Sequence, residues 1–148
     1  MFTWTNSQEK VDWVEMETLY RLAPLGNKSS AHLKLVFENS RFKWFVHEEG
    51  KLVAAGRALA DGADCSYICD IAVLPSHQGM GLGKELVSRL VADSKEHQKI
   101  ILYSVPGKES FYKKLGFLQL LTGMAIFKDR ETAIKQGYLQ KTIVSGNS

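Results

Sequence analysis

Cys69-Asp70-Ile71-Ala72-Val73-Leu74-Pro75-Ser76-His77-Gln78-Gly79-Met80-Gly81-Leu82-Gly83-Lys84 is the stretch on which the reading of this chain turns. An apolar, β-branched run ends at Pro75, and glycines then occupy every second position from Gly79 to Gly83. Beyond them Leu86, Val87, Leu90 and Val91 recur at helical spacing. The pattern predicts a strand over residues 66–74, a glycine-rich turn, and a helix over residues 83–95. Glycine tolerates positive φ and lets a backbone approach a ligand closely. The first turn of a helix has unpaired N–H groups and a partial positive charge, so a pyrophosphate fits there, and Lys84 adds a charge-assisted contact. Two other phosphate loops are excluded. The Gly-x-x-x-x-Gly-Lys-Ser/Thr spacing is missing, and the glycine spacing does not suit a dinucleotide fingerprint.

Working outward, residues 2–5 alternate weakly and predict a short strand. Asn6 or Ser7 would cap a helix running to about Leu22, with Val11, Val14 or Glu15, and Leu22 spaced helically and Pro24-Leu25-Gly26 as its stop. A second helix is expected over residues 30–38, with Leu33, Val36 and Phe37 as its apolar face. Residues 42–47 and 52–59 form a hairpin signal across Glu48-Glu49-Gly50-Lys51, and Asp61-Gly62-Ala63-Asp64 makes the next turn. Downstream, residues 99–103 read as a buried strand and residues 108–115 as a short helix closed by Gly116. Residues 117–121 and 124–127 read as a closing hairpin. The order β-α-α-β-β-β-α-β-α-β-β predicts an α/β fold, a mixed sheet with helices on its faces, in a single domain over residues 1–148.

The chain has 148 residues, 45% apolar and 24% charged, which is ordinary globular composition. No apolar run is long enough to span a bilayer, and the N-terminus lacks the pattern of a signal peptide, so a cytoplasmic protein is expected. The net charge of +3 is spread along the chain without a basic stripe, which argues against nucleic acid and suits a polyanionic ligand. Cys65 and Cys69, if both lie on one strand, sit roughly 13 Å apart, too far for a disulfide. The four histidines are isolated, so no metal site is expected.

Gln78-x-x-Gly81-x-Gly83 after an Ala-Val-Leu-Pro strand is similar to the acetyl-CoA loop of the GNAT superfamily of N-acetyltransferases. Phe111-Tyr112-Lys113-Lys114-Leu115-Gly116-Phe117 resembles a second motif of that family, an aromatic-Tyr-x-x-x-Gly-Phe segment. The resemblance covers nearly all of the chain. It implies a central sheet splayed between the strand with Ile71 and the strand with Ile100, holding the pantetheine arm in the gap. The backbones of Ile71, Ala72 and Val73 would bind the arm, with the Val73 N–H polarising the thioester carbonyl. Those of Gln78, Gly79, Met80, Gly81, Leu82, Gly83 and Lys84 would hold the pyrophosphate. Pre-aimed N–H donors suit acyl transfer, which passes through a tetrahedral oxyanion. Where the family often has an asparagine before the tyrosine, this chain has Val105, followed by Pro106 and Gly107.

The implied function is transfer of acetyl from acetyl-CoA to a primary amine, such as an arylalkylamine or polyamine. The alternatives are a protein or peptide N-acetyltransferase and a non-catalytic CoA-binding regulatory protein. Tyr112 is the candidate general acid for the CoA thiolate, against a core tyrosine with a satisfied hydroxyl. Asp70 is the candidate general base, against a structural carboxylate in the sheet. His77 is expected at the surface, and Trp4, Trp13 and Trp44 in the core. The family gathers acceptor contacts around residues 22–28, Phe37 and Phe42. It also often pairs through terminal strands, and residues 138–144 would supply that edge for a homodimer.

Overall fold

The computed structural model describes residues 1–141, in two units divided after Leu102. The first unit holds five strands: β1 (Phe2–Thr5), β2 (Phe42–Glu48), β3 (Lys51–Ala60), β4 (Cys65–Val73) and β5 (Lys99–Ile101). They lie in the order β1-β2-β3-β4-β5, antiparallel except for the parallel pair β4–β5. This is the mixed sheet expected. Residues 52–56 of β3 are buried in succession, so both faces of the sheet are covered. α1 (Trp13–Leu22) and α2 (Ser30–Glu38) supply one side of the core with Met16, Leu19, Tyr20, Leu33 and Phe37. α3 (Leu82–Asp93) supplies Leu82, Leu86, Val87 and Leu90.

The first helix starts later than expected. Asp12, not Asn6 or Ser7, is its cap: the Asp12 carboxylate accepts from the N–H groups of Val14 (2.9 Å) and Glu15 (3.3 Å). The Ser7 hydroxyl instead closes a local turn with the Glu9 N–H. The buried face is therefore Met16, Leu19 and Tyr20, at i, i+3 and i+4, whereas Val14 and Leu22 are exposed. The second helix begins where Ser29 caps the His32 N–H and has the limits the sequence predicted.

Trp13 packs among Phe37 and Phe45, as a core tryptophan should. Trp4 and Trp44 also pack against the core and have a second role. They flank the Arg89 guanidinium of α3, its carbon 4.2 and 4.7 Å from the two ring centroids, and pin the helix to the strands by cation–π attraction. Trp44 adds a hydrogen bond from its indole nitrogen to Asp93 at 2.9 Å. Cys65 and Cys69 are both free thiols, and burial first of all pushes Cys69 up to about 11.

Two expectations fail. The fifth strand stops at Ile101 and is half-exposed, because β4 pairs with it only from Cys65 to Tyr67. The closing hairpin over residues 117–121 and 124–127 forms no ladder. Leu118, Leu121, Met124 and Ile126 are at least 90% exposed. Two strands without a third or a packed face are marginal in water, and the local turn signal at Gly123 is too weak to hold them. The second unit instead contains α4 (Glu109–Lys114) and α5 (Arg130–Lys135), plus a cluster of Tyr103, Phe127 and Tyr138 with ring centroids 5.8–6.1 Å apart. Residues 138–141 are not a strand, and residues 142–144 of the expected dimer edge lie outside the described residues.

Phe37 is fully buried, 5.3 Å from Phe45 between ring centroids, so it is a core residue and not an acceptor contact. Phe37→Ala is expected to lower unfolding stability by about 3–5 kcal/mol, measured by urea denaturation.

Candidate active site

A break in strand alternation builds the site. Between the pairs Ala55–Ala72 and Arg57–Cys69, β3 advances two residues while β4 advances three. The extra residue makes a β-bulge, and Asp70 absorbs it with φ of +55°. Gly56 faces the bulge. A Cβ there would lie 2.6 Å from Ile71 Cδ1, so only glycine leaves room for the Ile71 side chain as it stands. Ile71 leans toward Leu90 of α3, and Asp70 turns to the side of α1 and α2.

Beyond the bulge the strand has one free edge. Leu74 N–H donates to the Val53 carbonyl at 2.9 Å, so Val73, one residue earlier, turns its N–H and carbonyl away from β3. No described strand lies on that side past Tyr67, where β5 ends its pairing. The Val73 carbonyl accepts from Gln78 Nε2 at 3.3 Å, and its N–H remains as an outward donor. β4 thus has an open edge on the side where the splay was expected, but β5 ends at Ile101 rather than diverging from it.

The same chain then passes through a short 3-10 turn (Pro75–His77) into the glycine loop. Gly79 and Gly81 have φ of +84° and +82°, and open space lies where their side chains would be. Gly81 takes the N-cap position of α3 and offers no side-chain acceptor. The first intrahelical bond runs from Glu85 N–H to Gly81 O, so the N–H groups of Leu82, Gly83 and Lys84 precede the helical ladder. α1, α2 and α5 by contrast have Asp12, Ser29 and Asp129 as side-chain caps. Uncapped donors beside open backbone fit a pyrophosphate, and the outward edge of β4 fits an amide-bearing arm.

His77 is not the surface residue expected. Its side chain is 12% exposed, with Nε2 2.9 Å from Glu48 Oε1 and Nδ1 2.8 Å from Ser76 Oγ. It ties the entry of the loop to the end of β2. The hydrogen bond from His77 is the main cause holding Glu48 below the usual glutamate range.

Asp70 lies at a convergence of elements. Lys28, in the loop between α1 and α2, reaches its Oδ1 at 3.0 Å, and Arg57 Nε of β3 reaches Oδ2 at 2.7 Å. The Tyr20 hydroxyl donates to the Asp70 carbonyl at 2.6 Å. Arg57 is itself anchored by a 3.2 Å contact to Ser40 Oγ at the end of α2. Burial opposes the Asp70 charge, but the two cations and their hydrogen bonds outweigh it and hold the carboxyl below the usual aspartate range. Lys28 also lines a cleft of about 270 Å³ with Glu17, Arg21, Asn27 and Ser29. The sequence singled out neither Tyr20 nor Arg57, and Lys28 only as one end of the 22–28 segment, because their partner lies 13 to 50 residues away along the chain.

In the second unit, Tyr112 lies on α4 with its ring against Phe111 and Phe117, at centroid distances of 5.0 and 5.9 Å. Burial raises its phenol above the ordinary tyrosine range.

A depressed aspartate pKa makes stability depend on pH. An unfolded aspartate titrates near pH 3.9, so above about pH 4 both states are ionised and the ion pairs contribute fully. As pH falls from there through the lower folded pKa, that contribution is lost. Asp70→Asn is expected to cost about 3 kcal/mol at neutral pH, by loss of one partner in a buried ion cluster. It should also flatten the acid limb of the stability curve, read from urea midpoints between neutral pH and about pH 3.

A family profile described as Acetyltransferase (GNAT) family matches residues 10–117. Serotonin N-acetyltransferase 2, chloroplastic, from rice is 34% identical over 113 residues, covering 70% of this chain and 56% of that protein, so the chain spans little more than half its length. A probable acetyltransferase from meticillin-resistant Staphylococcus aureus superposes with a TM-score of 0.77 at 23% identity, covering 86% of this chain and 99% of that one. AAC(6')-Iy, solved with the bisubstrate analog CoA-S-monomethyl-acetylneamine, superposes with a TM-score of 0.63 at 20% identity over 86% of this chain and 96% of its own. The structural likenesses are of fold, and with the profile match across most of the sequence they lead to one conclusion: this chain belongs to the acetyltransferase (GNAT) family.

Proposed function

We propose that this protein transfers an acetyl group from acetyl-CoA to the primary amine of a small molecule. The observation that carries the proposal is the outward edge of β4 followed, through a 3-10 turn and the glycine loop, by the uncapped first turn of α3. One continuous segment thus offers an outward N–H at Val73 and a ring of donors over Leu82, Gly83 and Lys84. Acetyl-CoA supplies an activated thioester. The chain's own part is to orient it, to stabilise charge at the carbonyl oxygen through the Val73 N–H, and to protonate the leaving sulfur.

Tyr112 is the proposed acid. Its raised pKa keeps the phenol protonated at neutral pH, as a donor must be. Asp70 is assigned no proton, because a carboxylate already neutralised by Lys28 and Arg57 has low proton affinity. Among small amines, an arylalkylamine is favoured over a polyamine. The cleft at residues 17–29 carries Arg21 and Lys28 against Glu17, and with the Arg57–Asp70 pair behind Lys28 the sum stays positive, so a polycation is disfavoured more than a monoamine. The rice relative is named a serotonin N-acetyltransferase, which supports this reading. The two free thiols suit a reducing compartment such as the cytoplasm.

Two measurements test this. Acetyl-CoA should raise the melting temperature in a concentration-dependent way and ATP much less, whereas Gly81→Glu should abolish acetyl-CoA binding in calorimetry. A folded Gly81→Glu protein with unchanged affinity overturns the loop assignment. Tyr112→Phe should lower kcat by about 10²- to 10⁴-fold, with little change in the KM for acetyl-CoA, in a thiol-release assay. Full activity in a folded Phe variant removes Tyr112 from the mechanism.

A further inference from the structure

The left-handed residue of β4 is not glycine, and the surroundings of Asp70 account for that. An aspartate at φ +55° in the middle of a strand is disfavoured unless neighbouring groups hold it. Here they hold both ends of the residue. The buried Tyr20 hydroxyl grips the main-chain carbonyl at 2.6 Å, while Lys28 and Arg57 take one carboxylate oxygen each at 3.0 and 2.7 Å. Their side chains are 25%, 13% and, for Asp70, 14% exposed, so solvent competes weakly for these contacts. The grips come from α1, the loop after it, and β3, and Arg57 is braced by Ser40 at the end of α2. Three residues beyond lies Val73, whose N–H faces outward only because the bulge shifts the phase of β4 against β3.

We propose that Asp70 is a positioning residue: with Tyr20, Lys28 and Arg57 it clamps the left-handed turn of β4 that aims the Val73 N–H, and it takes no proton from the acceptor amine. The inference rests on the proposed use of that N–H at the thioester carbonyl. A clamp and a base differ in what they require at position 70. A clamp needs a side chain that accepts hydrogen bonds and tolerates positive φ; asparagine keeps one of the two acceptor oxygens and that backbone tolerance, and valine keeps neither. A base needs an ionisable carboxylate, which neither provides. Tyr20 separates them further, since Tyr20→Phe removes a grip on the backbone and leaves the carboxylate in place.

The test uses the full chain with acetyl-CoA labelled with carbon-13 at the thioester carbonyl, and tryptamine as acceptor. In the wild type the infrared carbonyl band of the bound thioester should shift from its position in solution. Asp70→Asn, which retains one acceptor oxygen, should keep most of that shift, lower kcat by no more than about tenfold, and leave the pH dependence of the rate in place. Asp70→Val should lose the shift and about 10²-fold in kcat, the usual consequence of misplaced catalytic groups. Tyr20→Phe should reduce the shift and lower kcat by about tenfold, and it keeps the proposal testable if the valine variant fails to fold. The band needs no acceptor, so it reads the clamp even if tryptamine is not turned over. A band in Tyr20→Phe identical to the wild type overturns the clamp. So does an Asp70→Asn enzyme about 10²-fold or more slower than wild type with its acid limb gone, because that is the behaviour of a base. Failure of the wild type to bind acetyl-CoA is a separate result, seen before any variant is made, and it overturns the proposed function together with this inference.

Discussion

One extra residue in β4 governs the geometry of this protein. A strand that pairs regularly would alternate its N–H groups without interruption against β3. The bulge at Asp70 changes the phase, so that Leu74 pairs with Val53 and Val73 faces outward. It needs space on the opposite strand, which Gly56 leaves for Ile71, and it needs a residue held at positive φ. Where β5 ends, the outward side of β4 meets no described strand, and the following loop leads on to the uncapped first turn of α3. Backbone groups rather than side chains therefore make up most of the candidate site in the first unit.

Charge enters as the support of this backbone. A buried carboxylate with one cation is a poor bargain in stability, because desolvation offsets much of the Coulomb attraction. Two cations on separate oxygens, plus the Tyr20 hydroxyl on the carbonyl, satisfy the residue from three directions. The result is a carboxylate of low proton affinity at a fixed backbone angle. That low affinity keeps it charged, and hence gripped, through the neutral range.

The side of the sheet facing α3 is held by different chemistry. Arg89 between Trp4 and Trp44 joins the helix to β1 and β2 through faces of aromatic rings, and the Trp44–Asp93 hydrogen bond adds direction. Leu82, Leu86, Val87 and Leu90 supply the apolar seal. A rigid α3 matters for the loop before it, because donors at a helix start are useful to an anion only when the helix does not shift. His77, held by Glu48 and Ser76, secures the other end of that loop.

Local pattern was enough for whatever depends on neighbours in sequence. The glycine loop and its helix, the hairpin over residues 42–60, the second helix and the fold class were all legible, since turn residues, caps and apolar periodicity act within a few positions. Asp70 was legible as a residue of interest, and its partners were not. Tyr20, Lys28 and Arg57 carry no motif, and they meet Asp70 only because α1, its loop and β3 are folded against β4. Proton affinity at Asp70 is a property of that meeting, so its sequence alone left base and structural carboxylate equally open. The start of the first helix failed for a related reason, several polar residues being able to cap it and packing of Met16, Leu19 and Tyr20 choosing Asp12. Residues 117–127 failed in the opposite direction, as strand propensity without a neighbouring strand to pair with does not make a strand. Short-range chemistry could be read from the chain, whereas the electrostatic state of a buried group and the pairing of a strand are set by residues that only the tertiary fold brings near.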